Sequence, residues 1–177
     1  LSAAQRPVLA NNGKRGEVRA SFSKAEYEVI WRNLRHWVKA AATERQRKVR
    51  EVLWDYVLVL ANTGIRHGTE AMNLKWRDID WYEQDGERYL RLTVQGKTSK
   101  RKGARTVVAR TNTQDYLRRQ QLRFADLADK TFDDLLRAKV DEYVFRTADG
   151  QRTKNFANTL AKMFEGFLTE YNLLYSS

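Results

Sequence analysis

Between Gln95 and Arg110 the chain carries Lys97, Lys100, Arg101, Lys102, Arg105 and Arg110, with no acidic residue to offset them. Such a cluster repels itself unless something anionic binds, and the usual polyanion for a soluble domain containing Trp and Tyr is nucleic acid. Upstream, Gly64 follows a helical pattern and is the residue type that ends helices in the left-handed conformation, which sets Arg66 on a loop. A guanidinium there is a planar fork of N–H donors that keeps its charge at any working pH, suited to the oxygens of a phosphate. Its competing role is structural, that of a helix-end arginine bonding free carbonyls.

Composition narrows the chemistry further. Lys plus Arg number 33 against 22 Asp plus Glu, a formal net charge of +11 over 177 residues. The absence of Cys excludes a disulfide framework, a thiolate metal site and a cysteine nucleophile, and two His are too few for a zinc cluster. Neither a metal nor a cofactor is expected. The longest apolar run, Tyr56 to Ala61, falls far short of the roughly 20 residues a spanning helix needs. No signal-peptide core is evident, and cytoplasm is the expected compartment.

The elements that must position these residues can be read from periodicity. Residues 1–20 are rich in Ala, Asn and Gly, contain the only proline, Pro7, and read as a linker or arm, with the folded portion over 21–177. Ser23 followed by Glu26 forms a capping box. Tyr27, Ile30, Trp31, Leu34, Trp37 and Val38 then follow helical spacing and predict one stripe facing a core, with His36 beside it. A second helix over about Lys48 to Asn62 is apolar nearly all round from Val52 to Leu60, apart from Asp55, and belongs at the centre. A short helix is expected near Thr69 to Lys75.

Alternation over Tyr89 to Val94 predicts a half-buried strand, Asp85-Gly86 a hairpin turn before it, Ile79 to Tyr82 a first strand and Arg105 to Ala109 a third. Helical patterns resume over Thr113 to Ala128, Phe132 to Lys139 and Asn155 to Tyr171, with a short apolar run at Tyr143 to Phe145 between the last two. The expected class is α+β and mainly helical, with helices around a small antiparallel sheet of about three strands.

Residues 58–80 carry Thr63-Gly64-Ile65-Arg66, then Glu70, Leu74, Trp76, Asp78 and Ile79 after an apolar helix. This segment resembles the first signature box of the tyrosine recombinases, the phage-integrase family: a buried helix, Thr-Gly-x-Arg, a nearby acid, then Leu-x-Trp-x-Asp-Ile. Val94-Gln95-Gly96-Lys97 followed by Arg105-Thr106-Val107-Val108 resembles the family's hairpin, in which the lysine after Gly enters the active site. The resemblance covers about 18–177 and implies an integrase-like catalytic domain, truncated at its C-terminal side. The family's second box, His-x-x-Arg, has no match, since Lys39 follows His36 and Glu70 follows His67 at the needed distance. The nucleophilic tyrosine lies beyond that box, so Tyr175 is expected to be a packing residue.

The resemblance implies site-specific DNA recombination or integration by a metal-free phosphoryl transfer. A tyrosine attacks the phosphodiester, giving a 3′-phosphotyrosine and a free 5′-hydroxyl. Arg66 would clamp the non-bridging oxygens as charge builds on the phosphorane. Lys97 would act as the general acid for the leaving oxygen, with Lys100 and Lys102 competing for that role. Glu70 would buttress Arg66, although family members often carry the acid three residues after the arginine and here it is four. Lys100, Arg101, Lys102 and Arg105 are the candidate phosphate contacts. Double-stranded DNA is the expected partner. Family enzymes act as tetramers on two duplexes, and this portion is expected to be an inactive monomer. The alternative is a non-catalytic DNA- or RNA-binding regulatory module; a type IB topoisomerase shares the chemistry but resembles the 63–80 segment less.

Overall fold

A computed structural model of the chain describes residues 22–96, 103–147 and 155–173. The capping box forms as read. Ser23 accepts from the Glu26 amide at 3.3 Å while Glu26 accepts from the Ser23 amide at 2.7 Å, starting α1 (Lys24–Lys39). Ile30, Leu34, Trp37 and Val38 are buried, but Trp31 is 51% exposed and does not belong to the stripe. Trp31 lies just past the edge of the arc that Ile30, Leu34, Trp37 and Val38 define.

Helix α2 (Glu44–Thr63) starts earlier than its apolar pattern, because Thr43 caps it by accepting from the Gln46 amide at 3.1 Å. It is the central beam, packed against α1, α3 (Thr113–Leu122) and α6 (Phe156–Glu170). Asp55, the one charged residue of the apolar stretch, is fully buried. It accepts from Arg119 Nε at 3.0 Å and Nη2 at 2.5 Å and is bound by Arg123 as well, so two guanidiniums of and beside α3 satisfy it. A buried carboxylate is tolerated only with such pairing, and here the pairing also fixes α3 against α2.

Strands β1 (Ile79–Gln84), β2 (Glu87–Val94) and β3 (Arg105–Val108) form one antiparallel sheet in the order β1-β2-β3. The Asp85-Gly86 turn has φ of 53° and 80°, both positive as a two-residue type I′ hairpin requires. Leu90, Leu92 and Val94 are buried on one face of β2, the alternation read from the sequence. Register pairs Leu92 with Val107 and Val94 with Arg105.

The helix expected over 69–75 is replaced by two 3-10 turns, Ala71–Asn73 and Trp76–Asp78. Leu74 and Trp76 must point inward here, and the backbone between the turns pairs with another segment: Val144 donates to the Leu74 carbonyl and Trp76 to the Glu142 carbonyl, each at 3.0 Å. The apolar run at Tyr143 to Phe145 is therefore the partner of the Leu-x-Trp segment. The helix expected over 113–128 is also broken, into α3 and α4 (Ala125–Ala128), where Phe124 turns into the core in an extended conformation. Helix α5 (Phe132–Arg137) packs on β1, where Trp81 donates to Asp133 at 2.9 Å. Among the described residues no helix is long and apolar enough to cross a membrane.

Replacing Asp55 by Ala leaves two guanidiniums facing a buried void. Both are partly exposed, which moderates the penalty, so D55A should lower unfolding stability by about 3 kcal/mol, read by urea denaturation. A loss under 1 kcal/mol would mean that the α2 to α3 contact does not depend on this carboxylate.

Candidate nucleic-acid interface

The site is built from the end of α2. Thr63 donates its hydroxyl to the Val59 carbonyl at 2.6 Å and accepts from the Ile65 amide at 3.3 Å, closing the last turn. Gly64 is left-handed at φ 69°, and its amide donates to the Leu60 carbonyl at 2.9 Å. Ile65 is buried, and the chain reverses so that Arg66 faces outward. Each position of Thr-Gly-x-Arg thus has a local job: close the helix, turn, plug the core, present the guanidinium.

Gly68, at φ 77°, makes a second reversal, and the Met72 amide donates to its carbonyl at 2.9 Å. The loop is pinned from below by Tyr56 of α2, whose hydroxyl accepts from the Gly68 amide at 3.2 Å and lies 2.9 Å from His67 Nδ1. Burial pushes the Tyr56 hydroxyl up to about 12 and pulls His67 below its ordinary value. The phenol keeps its proton at neutral pH, and which group donates in its bond to Nδ1 follows from the tautomer of His67. Nothing in the local sequence signals this contact, which joins residues a helix turn and a loop apart.

Glu70 then comes back under Arg66. Its side chain has no exposed surface, and its two oxygens are both occupied. Oε2 accepts from the Arg66 amide at 2.9 Å and from Arg105 Nη2 at 2.6 Å, while Oε1 accepts from Arg66 Nη1 at 3.1 Å. Gly68 makes the turn that returns Glu70 to Arg66, and the carboxylate is buried there. Burial alone raises its pKa, but the hydrogen bond from Arg105, the Arg66 amide and the two guanidinium charges outweigh that and hold it below the usual range.

Arg105 is therefore more than a surface cation. It lies at the base of the β2 to β3 connection, opposite Val94, and its Nη2 also lies 3.4 Å from the Gly64 carbonyl. The side chains of Arg66 and Arg105 remain 51% and 36% exposed. Two guanidiniums around one carboxylate leave a net positive charge facing outward, with N–H groups available to an anion. Lys97, Lys100, Arg101 and Lys102, the candidate general acid and phosphate contacts, lie outside the described residues, as does Tyr175. Trp76 and Ile79 are fully buried, Trp76 against Phe132 and Ile79 opposite Leu92 in the sheet. Trp81 and Tyr82 are half-buried, and Arg88 stacks on Trp81 at 4.0 Å. Among the described residues no cluster of His, Asp and Glu is arranged to hold a metal ion.

The lowered pKa of Glu70 gives a pH dependence of defined sign. A carboxyl with a lower pKa folded than unfolded adds stability above its unfolded value, and that stability is lost as pH falls through the folded value. E70Q should therefore cost about 2 kcal/mol at neutral pH, and the gap to the parent should close as pH falls below the ordinary carboxylate range. Paired urea melts at neutral and acidic pH check this; a gap independent of pH would show that the charge of Glu70 contributes nothing. The chain matches no protein-family model, no curated protein and no solved structure.

Proposed function

We propose that the chain is the N-terminal part of a tyrosine recombinase catalytic domain, which cleaves and rejoins duplex DNA through a 3′-phosphotyrosine. The observation that carries this reading is the buried carboxylate of Glu70, which grips Arg66 by backbone amide and guanidinium and grips Arg105 at the same time. A cation that only needed to attract DNA would not require such fixing. A transition-state clamp does, because its donors must already point at the non-bridging oxygens when charge develops there.

In this reading Arg66 is the clamp, Glu70 orients it, and Arg105 adds a second cation beside the same phosphate. Lys97 is the general acid that protonates the leaving 5′-oxygen, a role that suits an ammonium with cationic sequence neighbours such as Lys100, Arg101 and Lys102. The 177 residues hold no His-x-x-Arg, so the second arginine and the nucleophilic tyrosine must come from elsewhere in the active assembly. That same feature favours the second reading, a non-catalytic nucleic-acid-binding module, which needs the basic surface but no clamp.

Duplex DNA should bind weakly and with little sequence preference, with affinity falling as salt rises because phosphate contacts release counterions. R66A and R105A should each reduce the slope of log affinity against log salt by about 0.9, as expected for one lost phosphate contact on duplex. Filter binding at several salt concentrations reads this, and salt-independent or undetectable binding at low salt would remove DNA as the partner.

The roles of Arg66 and Lys97 separate in an assembly that supplies the second box and the tyrosine. Sulfur at the 5′-bridging position makes a leaving thiolate that departs without a proton, so cleavage by K97A should be largely restored on that substrate. R66A should stay impaired by about 3 kcal/mol or more on both substrates, since its charge acts on the non-bridging oxygens. Single-turnover cleavage measures both. If K97A stays impaired on sulfur while K100A recovers, Lys100 is the acid; if neither variant affects cleavage, the binding-module reading replaces the enzyme.

A further inference from the structure

A groove of about 960 Å³ opens between α1, α2 and α3, and neither Arg66, Glu70 nor Arg105 lines it. Its size is at the upper end of ligand sites, and its lining is unusual for one. Leu58 is the only aliphatic side chain in its wall, while Tyr27, Trp31, Trp54 and Tyr116 bring aromatic rings. Trp31 is the exposed residue that left the apolar stripe of α1. A large ring half in water beside a groove, its indole N–H hydrogen-bonded to Tyr116, offers a face for stacking.

The charges complete the picture. Arg119 is held by Asp55 and lies over the Trp54 ring at 4.5 Å, so it is already engaged. Arg32 lies 3.4 Å from Glu28. Arg35 and Arg110 have no ion-pair partner among the described residues, and both are exposed on the groove. Asp115 is the remaining acid, placed in the first turn of α3 where the helix dipole favours it. The amides of Asn62 and Asn112 donate to the Tyr27 and Tyr116 hydroxyls at 3.2 and 2.8 Å, which ties the polar wall together.

We propose that this groove binds an unpaired stretch of nucleic acid, with a base stacked on Trp31 and phosphates on Arg35 and Arg110. Bases within a duplex stack on one another and offer no free face to Trp31, whereas a splayed base does. An apolar peptide anchor would need aliphatic walls, and the groove supplies almost none. The site does not depend on the clamping role proposed for Arg66.

The experiment uses the whole chain and a fluorescein-labelled oligothymidylate of roughly ten nucleotides, within the span of a single-strand-binding module. A duplex of equal length is the second probe, and both are read by anisotropy at low salt. W31A should weaken oligothymidylate binding at least about fivefold, the loss expected when one stacking platform is removed. W31F should restore most of it. R35Q/R110Q should lower the salt slope by about 1.4, two phosphate contacts on a single strand. R66A should weaken duplex binding and leave oligothymidylate binding unchanged. Melting curves of the variants should overlay with the parent, since all three groove positions are exposed.

Undetectable oligothymidylate binding, or equal binding by W31A, overturns the proposal. So does displacement of the probe by a peptide of alternating Asp and Tyr that W31A fails to bind, which would make the groove a protein interface. If duplex binding fails while the Trp31-dependent single-strand binding persists, the recombinase reading falls and the groove stands; the converse result leaves the clamp and removes the groove.

Discussion

A carboxylate that loses its water must find all its hydrogen bonds inside the protein, and Glu70 does so from two separate parts of the chain. Two of its donors come from Arg66 at the end of α2 and one from Arg105 on β3. The end of α2 and strand β3 are thereby joined through one anionic group. Were any donor missing, the cost of the buried charge would fall on the rest. The return of the 66–70 loop on itself and the directions of both guanidiniums are held by this one side chain.

The same logic acts along the length of α2. Helix α2 contains two buried or nearly buried polar sites, Asp55 and the Asn62 to Thr63 end, and each is answered by a different neighbour. Asp55 binds α3 through Arg119 and Arg123, while Asn62 reaches Tyr27 of α1 and its carbonyl accepts from the Arg110 amide at 3.3 Å. Apolar contact alone would allow the surrounding helices to slide along α2. Polar contacts of fixed geometry set where along the beam each one stops, and with that the shape of the groove between α1 and α3.

Much of this was legible from the residues. The capping box, the central helix, its glycine stop and the three strands all follow from local rules, because their signals lie within a few residues of the structure they specify. The readings that differ are those in which distant contacts decide. Leu74 and Trp76 pair their backbone with 140–144 rather than extending a helix, and Phe124 breaks another helix to reach the core. Trp31 has helical spacing but lies past the edge of the contact made by its own helix. At the site, Arg66 and Glu70 are visible as a pair in sequence. The link from Glu70 to Arg105 is not, because it depends on how a strand register brings residues 35 positions apart together.

The β2 to β3 hairpin has one further consequence. Arg105 is set by its pairing with Val94, one rung of a ladder in which Thr93 faces Thr106, Leu92 faces Val107 and Arg91 faces Val108. A single insertion inside β2 reverses the facing of every residue after it, so Arg105 would meet a partner from the opposite face and lose its reach to Glu70. The length of one strand thus sets where a cation on its neighbour can stand.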